Sequence, residues 1–337
     1  MTCWWLIPVV AGLSFMLTAL LRRYAISRSL IDIPNQRSSH VVATPRGGGV
    51  AIVVTFLVAI TVLFFSGIVA PAVFISLAGA GSITAVVGFL DDHGHVAARW
   101  RLLAHFLAAA WAVYWIGGLP ALTVFGVDLQ AGWIGQIFVV VYLVWMLNLY
   151  NFMDGIDGIA GVEAVTTCVG GVLLYWVAGV PELSWPALML GICAAGFLCW
   201  NFPPAKIFMG DAGSGFLGVI LGGMALHAGW ADSALLWAWL ILLGVFIVDS
   251  TFTLMRRLLR GDKVYEAHRS HAYQFASRRF GKHLPVTCAV AVINMLWLLP
   301  MAFCVVYFRI DGALALMVAY VPLIWLAVKY QAGQLER

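Results

Sequence analysis

Apolar blocks of roughly 17 to 25 residues, broken only by short polar stretches, run through the whole of this chain. Helices of that length cross the ~30 Å hydrocarbon layer of a bilayer. Inside that layer the backbone must pair its own N–H and C=O groups, so only helices and closed barrels can span it. Eleven segments qualify as helical spans: 4–21, 50–68, 70–90, 102–118, 133–149, 159–179, 184–200, 214–230, 233–255, 285–307 and 312–328. Composition excludes a water-soluble globule, since 63% of residues are hydrophobic and 10% charged, against about half and about a quarter in soluble domains. The sequence therefore predicts an all-α, polytopic integral membrane protein of about 11 transmembrane helices, one domain over residues 1–337.

The first span has no basic residue before it and no small-residue cleavage site, and Arg22 and Arg23 follow it directly. It reads as a retained helix with its N-terminus outside, not as a cleaved signal peptide. With that start, the loops 22–49, 91–101, 150–158, 201–213 and 256–284 and the tail 329–337 lie inside and hold 18 of the 19 Lys and Arg, all but Arg309. That is the bias expected of cytoplasmic segments, and it puts the C-terminus inside as well. The six cysteines lie in or beside apolar spans without metal-ligand spacing, so they read as small apolar residues.

The outer loops are plain, whereas the inner ones gather Asp, Asn, His, Arg and Gly. Eleven of the 15 acids lie on or near the inner face, among them Asp91, Asp92, Asp154, Asp157 and Asp211. Crowded carboxylates at membrane depth persist where a cation or bound substrate offsets their repulsion and poor solvation. Such hard oxygen ligands suit Mg²⁺, with Mn²⁺ as an alternative, and the fifth loop offers arginines and histidines to a phosphate or diphosphate. Acids for a metal and bases for an anion on one face point to phosphoryl chemistry on a soluble phosphorylated donor.

The stretches DDHGHVAARWR, NLYNFMDGIDGIAG, AKIFMGDAGSGFLG and EAHRSHAYQ, in this order and on this face, resemble the polyprenyl-phosphate N-acetylhexosamine-1-phosphate transferases. The resemblance runs from about residue 22 to 284 and is closest to the O-antigen-initiating branch. It implies transfer of a sugar 1-phosphate from a UDP-N-acetylhexosamine, such as UDP-GlcNAc or UDP-FucNAc, to undecaprenyl phosphate with Mg²⁺, releasing UMP. It also implies a bacterial inner-membrane location with an active site built from the cytoplasmic loops. Membrane lipid is a partner and nucleic acid is not, and a homodimer is left open.

Asp91 and Asp92 end the third span, where negative charge opposes the helix dipole, so a mere solvated terminus is a poor account of them. The resemblance makes them catalytic, although a phosphate monoester with a second pKa near 6 needs little help to ionise. Asn151, Asp154 and Asp157 follow the fifth span at spacings of three, which on a helical turn would share one face. A polar turn at Gly155 and Gly158 is the plainer alternative. By resemblance Asn151 is a metal ligand, Asp154 and Asp157 belong to the nucleotide and catalytic region, and Asn148 joins the substrate-binding set. Asp211, in FMGDAGSG, is the foremost metal candidate and also suits the cap of the eighth helix.

Phe208 matches a position at which the family stacks an aromatic ring on uracil. His268, Arg269 and His271 match a fifth-loop motif that contacts diphosphate and sugar, while the surrounding arginines fit ordinary attraction to lipid headgroups. Arg99 and Arg101 are the cationic candidates of the second loop, where the peptidoglycan branch has a lysine and this chain has His95. His40, Arg46 and Lys206 are lesser candidates. Asp249, within the ninth span, either satisfies neighbouring helices or braces the fifth loop. A common-antigen or teichoic-acid initiator, and an ion-coupled transporter, are the competing readings. Direct attack on the β-phosphorus and a two-step route through an aspartyl phosphate both remain open.

Overall fold

In the computed structural model, which describes residues 3–34, 42–94, 96–262 and 268–335, a helix coincides with each expected span. The elements run α1 (Leu6–Ser27), β1 (Ile31–Asp32), β2 (Thr44–Pro45), α2 (Val50–Phe65), α3 (Pro71–His93), α4 (Ala98–Ile116), β3 (Leu122–Val124) and β4 (Val127–Leu129). They continue through α5 (Gly132–Met153), α6 (Ile159–Val177), α7 (Ser184–Asn201), α8 (Asp211–Ala231), α9 (Ser233–Leu242), α10 (Gly244–Arg260), α11 (Ala272–Phe280), α12 (Leu284–Ile293), α13 (Leu299–Tyr307) and α14 (Gly312–Lys329). Two short antiparallel pairs, β1 with β2 and β3 with β4, are the sheet structure of the described residues.

The protein is an all-α polytopic membrane protein. Among the described residues eight helices are long and apolar enough to cross a bilayer, or up to nine if the bent pair α9–α10 is one span. Of the eleven expected, α2 is shorter at 16 residues, and the first turn of α4 carries Arg99 and Arg101. The ninth span, expected to run straight over 233–255, bends by 69° between Leu242 and Gly244. The residues after the bend explain it: Asp249, Ser250, Thr253 and Arg257 are buried on one face of α10, so this helix cannot lie wholly in hydrocarbon. The tenth span is interrupted by a π-helical turn, Asn294–Leu298, whose Asn294 amide donates to the buried Glu163 of α6 at 2.7 Å and to Thr166 at 2.8 Å.

α8 is the central element, with 94% of its apolar window buried. Its small residues let neighbouring backbones come into contact, as helices do in membranes where no hydrophobic drive assembles them. A Cβ on Gly218 would stand 2.4 Å from the Met146 carbonyl oxygen of α5, and one on Gly88 of α3 would stand 2.5 Å from the Ala212 nitrogen. These approaches bring the C-terminal ends of α3 and α5 to the N-terminal end of α8. At the opposite end the β3–β4 hairpin lies beside α9, and Arg309 pairs with Asp232.

Candidate active site at the helix ends

Asp92 closes α3 and places its carboxylate on the start of α8, accepting from the Asp211 nitrogen at 3.2 Å and the Ala212 nitrogen at 3.3 Å. A buried anion on a helix N-terminus is well placed for the dipole and for otherwise unpaired N–H groups. The Arg46 guanidinium donates to the Asp92 carbonyl. Asp91 points elsewhere: it accepts from the Val96 nitrogen at 2.9 Å and pairs with Arg101, which also lies 3.6 Å from Asp211. The two adjacent aspartates therefore have separate partners.

Asn151 lines the same cavity as Asp211, and its amide donates to Ser214 of α8, three residues beyond Asp211, at 3.3 Å. α5 ends at Met153, so Asn151, Asp154 and Asp157 do not share one helical face as the spacing suggests. Gly158, at φ +74°, turns the chain into α6. The turn nevertheless brings all three into the lining of a single cavity of about 280 Å³, with Asp92, Asp211, Arg46, Phe208, Asn201, Gln274 and His283. Burial, followed by the nearby carboxylates of Asp211, Asp92 and Asp157, pushes the Asp154 carboxyl well above the usual carboxylate range. Asp157 lies 3.0 Å from His283 Nδ1 and accepts from the Ala205 nitrogen at 3.0 Å. Across Asp157, Phe208 and His283 the cavity meets a second of about 490 Å³ that also includes Arg278 and Lys282 in its wall.

The fifth loop is fastened from below. The Tyr273 hydroxyl of α11 donates to the Phe152 carbonyl at 2.9 Å, and a Cβ on Gly155 would stand 2.1 Å from that hydroxyl. Gly155→Ala is expected to break this link and lower stability by about 1–2 kcal/mol, the worth of a displaced buried hydrogen bond. The thermal unfolding midpoint of the detergent-solubilised protein measures it, and an unchanged midpoint would mean that Tyr273 finds another acceptor. The His268 ring stacks against His271 at 4.9 Å. Burial, then the neighbouring His271 and Arg257, push the His268 imidazole down to about 3.

Of the residues singled out in the sequence, Asp92, Asn151, Asp154, Asp157, Phe208 and Asp211 line the cavity together. Asn148 folds its amide back onto the Val144 carbonyl at 2.7 Å, and Arg99 lies over the Trp100 ring, so neither reaches that lining. The Arg269 carbonyl accepts from Arg278 at 3.2 Å. His40 and His95 lie outside the described residues. The cavity also uses residues that were not singled out. Asn201 accepts from the Gly158 nitrogen at 3.0 Å and donates to the Ile207 carbonyl at 2.9 Å, stitching two loops together. His283, Gln274 and Ser214 join through tertiary contacts that no local pattern announces, although the polar Asn201 at the end of an apolar span is a usable signal.

No three His, Cys, Asp or Glu among the described residues converge closely enough to hold a metal by themselves. The donor chemistry fits an ion that takes one or two protein oxygens and completes its shell from water and phosphate, as Mg²⁺ does. Asp211 and Asn151 supply such a pair, and the five aspartates lining the cavity, Asp32, Asp92, Asp154, Asp157 and Asp211, favour a cation there.

Comparison with known proteins gives concordant matches. The glycosyl transferase family 4 model matches residues 73–229, the stretch from α3 through most of α8. A "Probable undecaprenyl-phosphate N-acetylglucosaminyl 1-phosphate transferase" of Bacillus subtilis (strain 168) is 28% identical over 267 residues, covering 77% of this chain and 72% of the relative. An "Undecaprenyl-phosphate alpha-N-acetylglucosaminyl 1-phosphate transferase" of Thermotoga maritima is 27% identical, covering 81% of each chain. A "Phospho-N-acetylmuramoyl-pentapeptide-transferase" of Desulforudis audaxviator is 30% identical, covering 79% of this chain and 89% of the relative.

Proposed function

Since the chain belongs to glycosyl transferase family 4, we propose that it transfers an N-acetylhexosamine 1-phosphate from a UDP-sugar to undecaprenyl phosphate, releasing UMP. The product is the lipid diphosphate sugar that begins O-antigen or a related surface polysaccharide. The reaction takes place at the cytoplasmic face of a bacterial inner membrane, with the N-terminus outside and the C-terminus inside. The observation that carries this reading is the single cavity lined by Asp92, Asp154, Asp157 and Asp211 together with Phe208 and Arg46, at the ends of membrane-spanning helices. A cytosolic donor and an acceptor phosphate at headgroup level can meet only there.

A lipid-phosphate oxygen attacks the β-phosphorus of the donor, the new P–O bond forms, and the bond to the UMP oxygen breaks in line. Asp211 and Asn151 would hold Mg²⁺, which would supply positive charge to the diphosphate. Phe208 stacks on the uracil, with Asn201 and Asp157 at the same end of the cavity. Asp92 fixes the start of α8, and Arg101 balances Asp91 and Asp211 at the rim. No protein base is needed to activate an acceptor whose second ionisation is near pH 6. The carboxylates lining the cavity stand at helix ends and not at mid-membrane, which disfavours an ion-coupled transporter.

The test is UMP release by the purified protein in detergent with undecaprenyl phosphate and Mg²⁺, with UDP-GlcNAc, UDP-GalNAc and UDP-FucNAc offered side by side. Turnover of at least one donor is expected, and use of UDP-GlcNAc alone would point to the common-antigen or teichoic-acid alternative. The absence of UMP from all three would overturn the reading.

A further inference from the structure

Arg46 is the one lysine or arginine among the described residues in the lining of the cavity at the helix ends, which also holds Asp32, Asp92, Asp154, Asp157 and Asp211. An arginine in such company ordinarily pairs with a carboxylate. This one does not: its guanidinium donates to the main-chain carbonyl of Asp92 and forms no ion pair among the described residues. The main chain on both sides of it is bound to the segment that carries Phe208. The Phe208 nitrogen donates to the Pro45 carbonyl at 2.8 Å, and the Gly48 and Gly49 nitrogens donate to the Phe208 and Met209 carbonyls, each at 2.9 Å. The side chain therefore runs from beside Phe208 to the last turn of α3, where the Asp92 carboxylate holds the Asp211 nitrogen. A carbonyl takes one N–H of a guanidinium that has five, so the charge and the remaining donors are left for an anion.

We propose that Arg46 grips the α-phosphate of the donor, the phosphate that departs in UMP. The assignment deepens the function proposed above and rests on it, in particular on the uracil lying against Phe208. In a UDP-sugar the ribose and the α-phosphate separate the uracil from the β-phosphorus. With the ring at Phe208 and the β-phosphorus toward Asp211 and Asn151, the α-phosphate falls beside the Arg46 guanidinium. As the bond to the UMP oxygen breaks, negative charge gathers on this phosphate, and a guanidinium fixed there lowers the barrier as well as binding the product. The bond to the Asp92 carbonyl holds the guanidinium in place before substrate arrives, so little is lost in orienting it.

The test compares the binding of UMP and of uridine, which lacks the phosphate, to the full chain in detergent with Mg²⁺ by titration calorimetry. Arg46→Gln, which retains an N–H donor but no charge, is expected to weaken UMP by about 10- to 100-fold, the worth of a charge-assisted hydrogen-bonded contact. Uridine affinity should not change. In the same preparations kcat for UMP release should fall by about tenfold or more, with KM for undecaprenyl phosphate unaltered. Arg46→Lys, which restores the charge without the planar fork, should recover part of both losses. Equal losses of UMP and uridine affinity would make Arg46 a brace for α3 and overturn the proposal, as would an unchanged UMP affinity with a raised KM for undecaprenyl phosphate. Should Arg46→Gln fail to fold, the same comparison in Arg46→Lys decides, with a loss of UMP affinity alone expected. A wild type that binds no UMP would overturn this proposal together with the proposed reaction. A wild type that binds UMP and turns donors over, beside an Arg46→Gln protein that binds UMP equally well, would overturn this proposal alone.

Discussion

Replacing Asp211 by asparagine is expected to reduce UMP release by about 10³-fold, or roughly 4 kcal/mol of transition-state stabilisation, while leaving the protein folded. The backbone nitrogen of Asp211 is already engaged by Asp92, a bond that the substitution does not touch. The side chain itself stands beside Asn151 and Arg101 at the mouth of the cavity, 37% exposed. Removing its charge from among Asp92, Asp154 and Asp157 relieves repulsion, so the unfolding midpoint should hold or rise slightly. Activity against Mg²⁺ concentration separates the possible causes, because a lost ion ligand raises the concentration needed as well as lowering the plateau. Turnover within tenfold of wild type would remove Asp211 from the ion site.

Gly210→Ala should damage stability as well as activity, since it strikes both backbone and site. Gly210 has φ +80° and ψ 170°, a region that other residues enter only at about 1–3 kcal/mol. A Cβ there would also stand 2.6 Å from Asp92 Oδ2 and 3.0 Å from Oδ1. The Asp92 carboxylate would have to leave the first N–H groups of α8, which then lose their acceptor. A clearly lowered unfolding midpoint in detergent, together with a loss of UMP release of about 10²-fold or more, is the expected result. A midpoint equal to wild type would show that the junction between α3 and α8 is looser than these distances require.

The spans were legible because the length of an apolar run is set by the bilayer, and α6 begins where the hydropathy places it. The bend in the ninth was not, since the apolar average over 233–255 conceals that Asp249, Ser250 and Thr253 fall on one buried face. The acids of the cavity stood out as polar residues at the ends of apolar runs. Their partners were harder to sort, because choosing between neighbours requires the helix phase. Arg99 and Arg101 are two residues apart and so face different ways on α4; Arg101 meets Asp91 and Asp211, whereas Arg99 lies over Trp100. Asn148 and Asn151, one turn apart, share a face of α5 yet differ in partner, the first bonded within its own helix and the second to Ser214 in the cavity wall. His283 joins Asp157 from 126 residues away, a pairing that no local pattern carries.

The backbone contacts at Gly88 and Gly218 divide the site mechanically. Asp92, Asn151 and Asp211 are mounted on helices that touch main chain to main chain, so their spacing resists change as a casting does. Phe208, Arg278 and His283, by contrast, sit on or beside short connections around the two cavities. Alterations in those connections can remodel the two cavities without shifting Asp92 and Asp211, so one rigid frame can serve different donors.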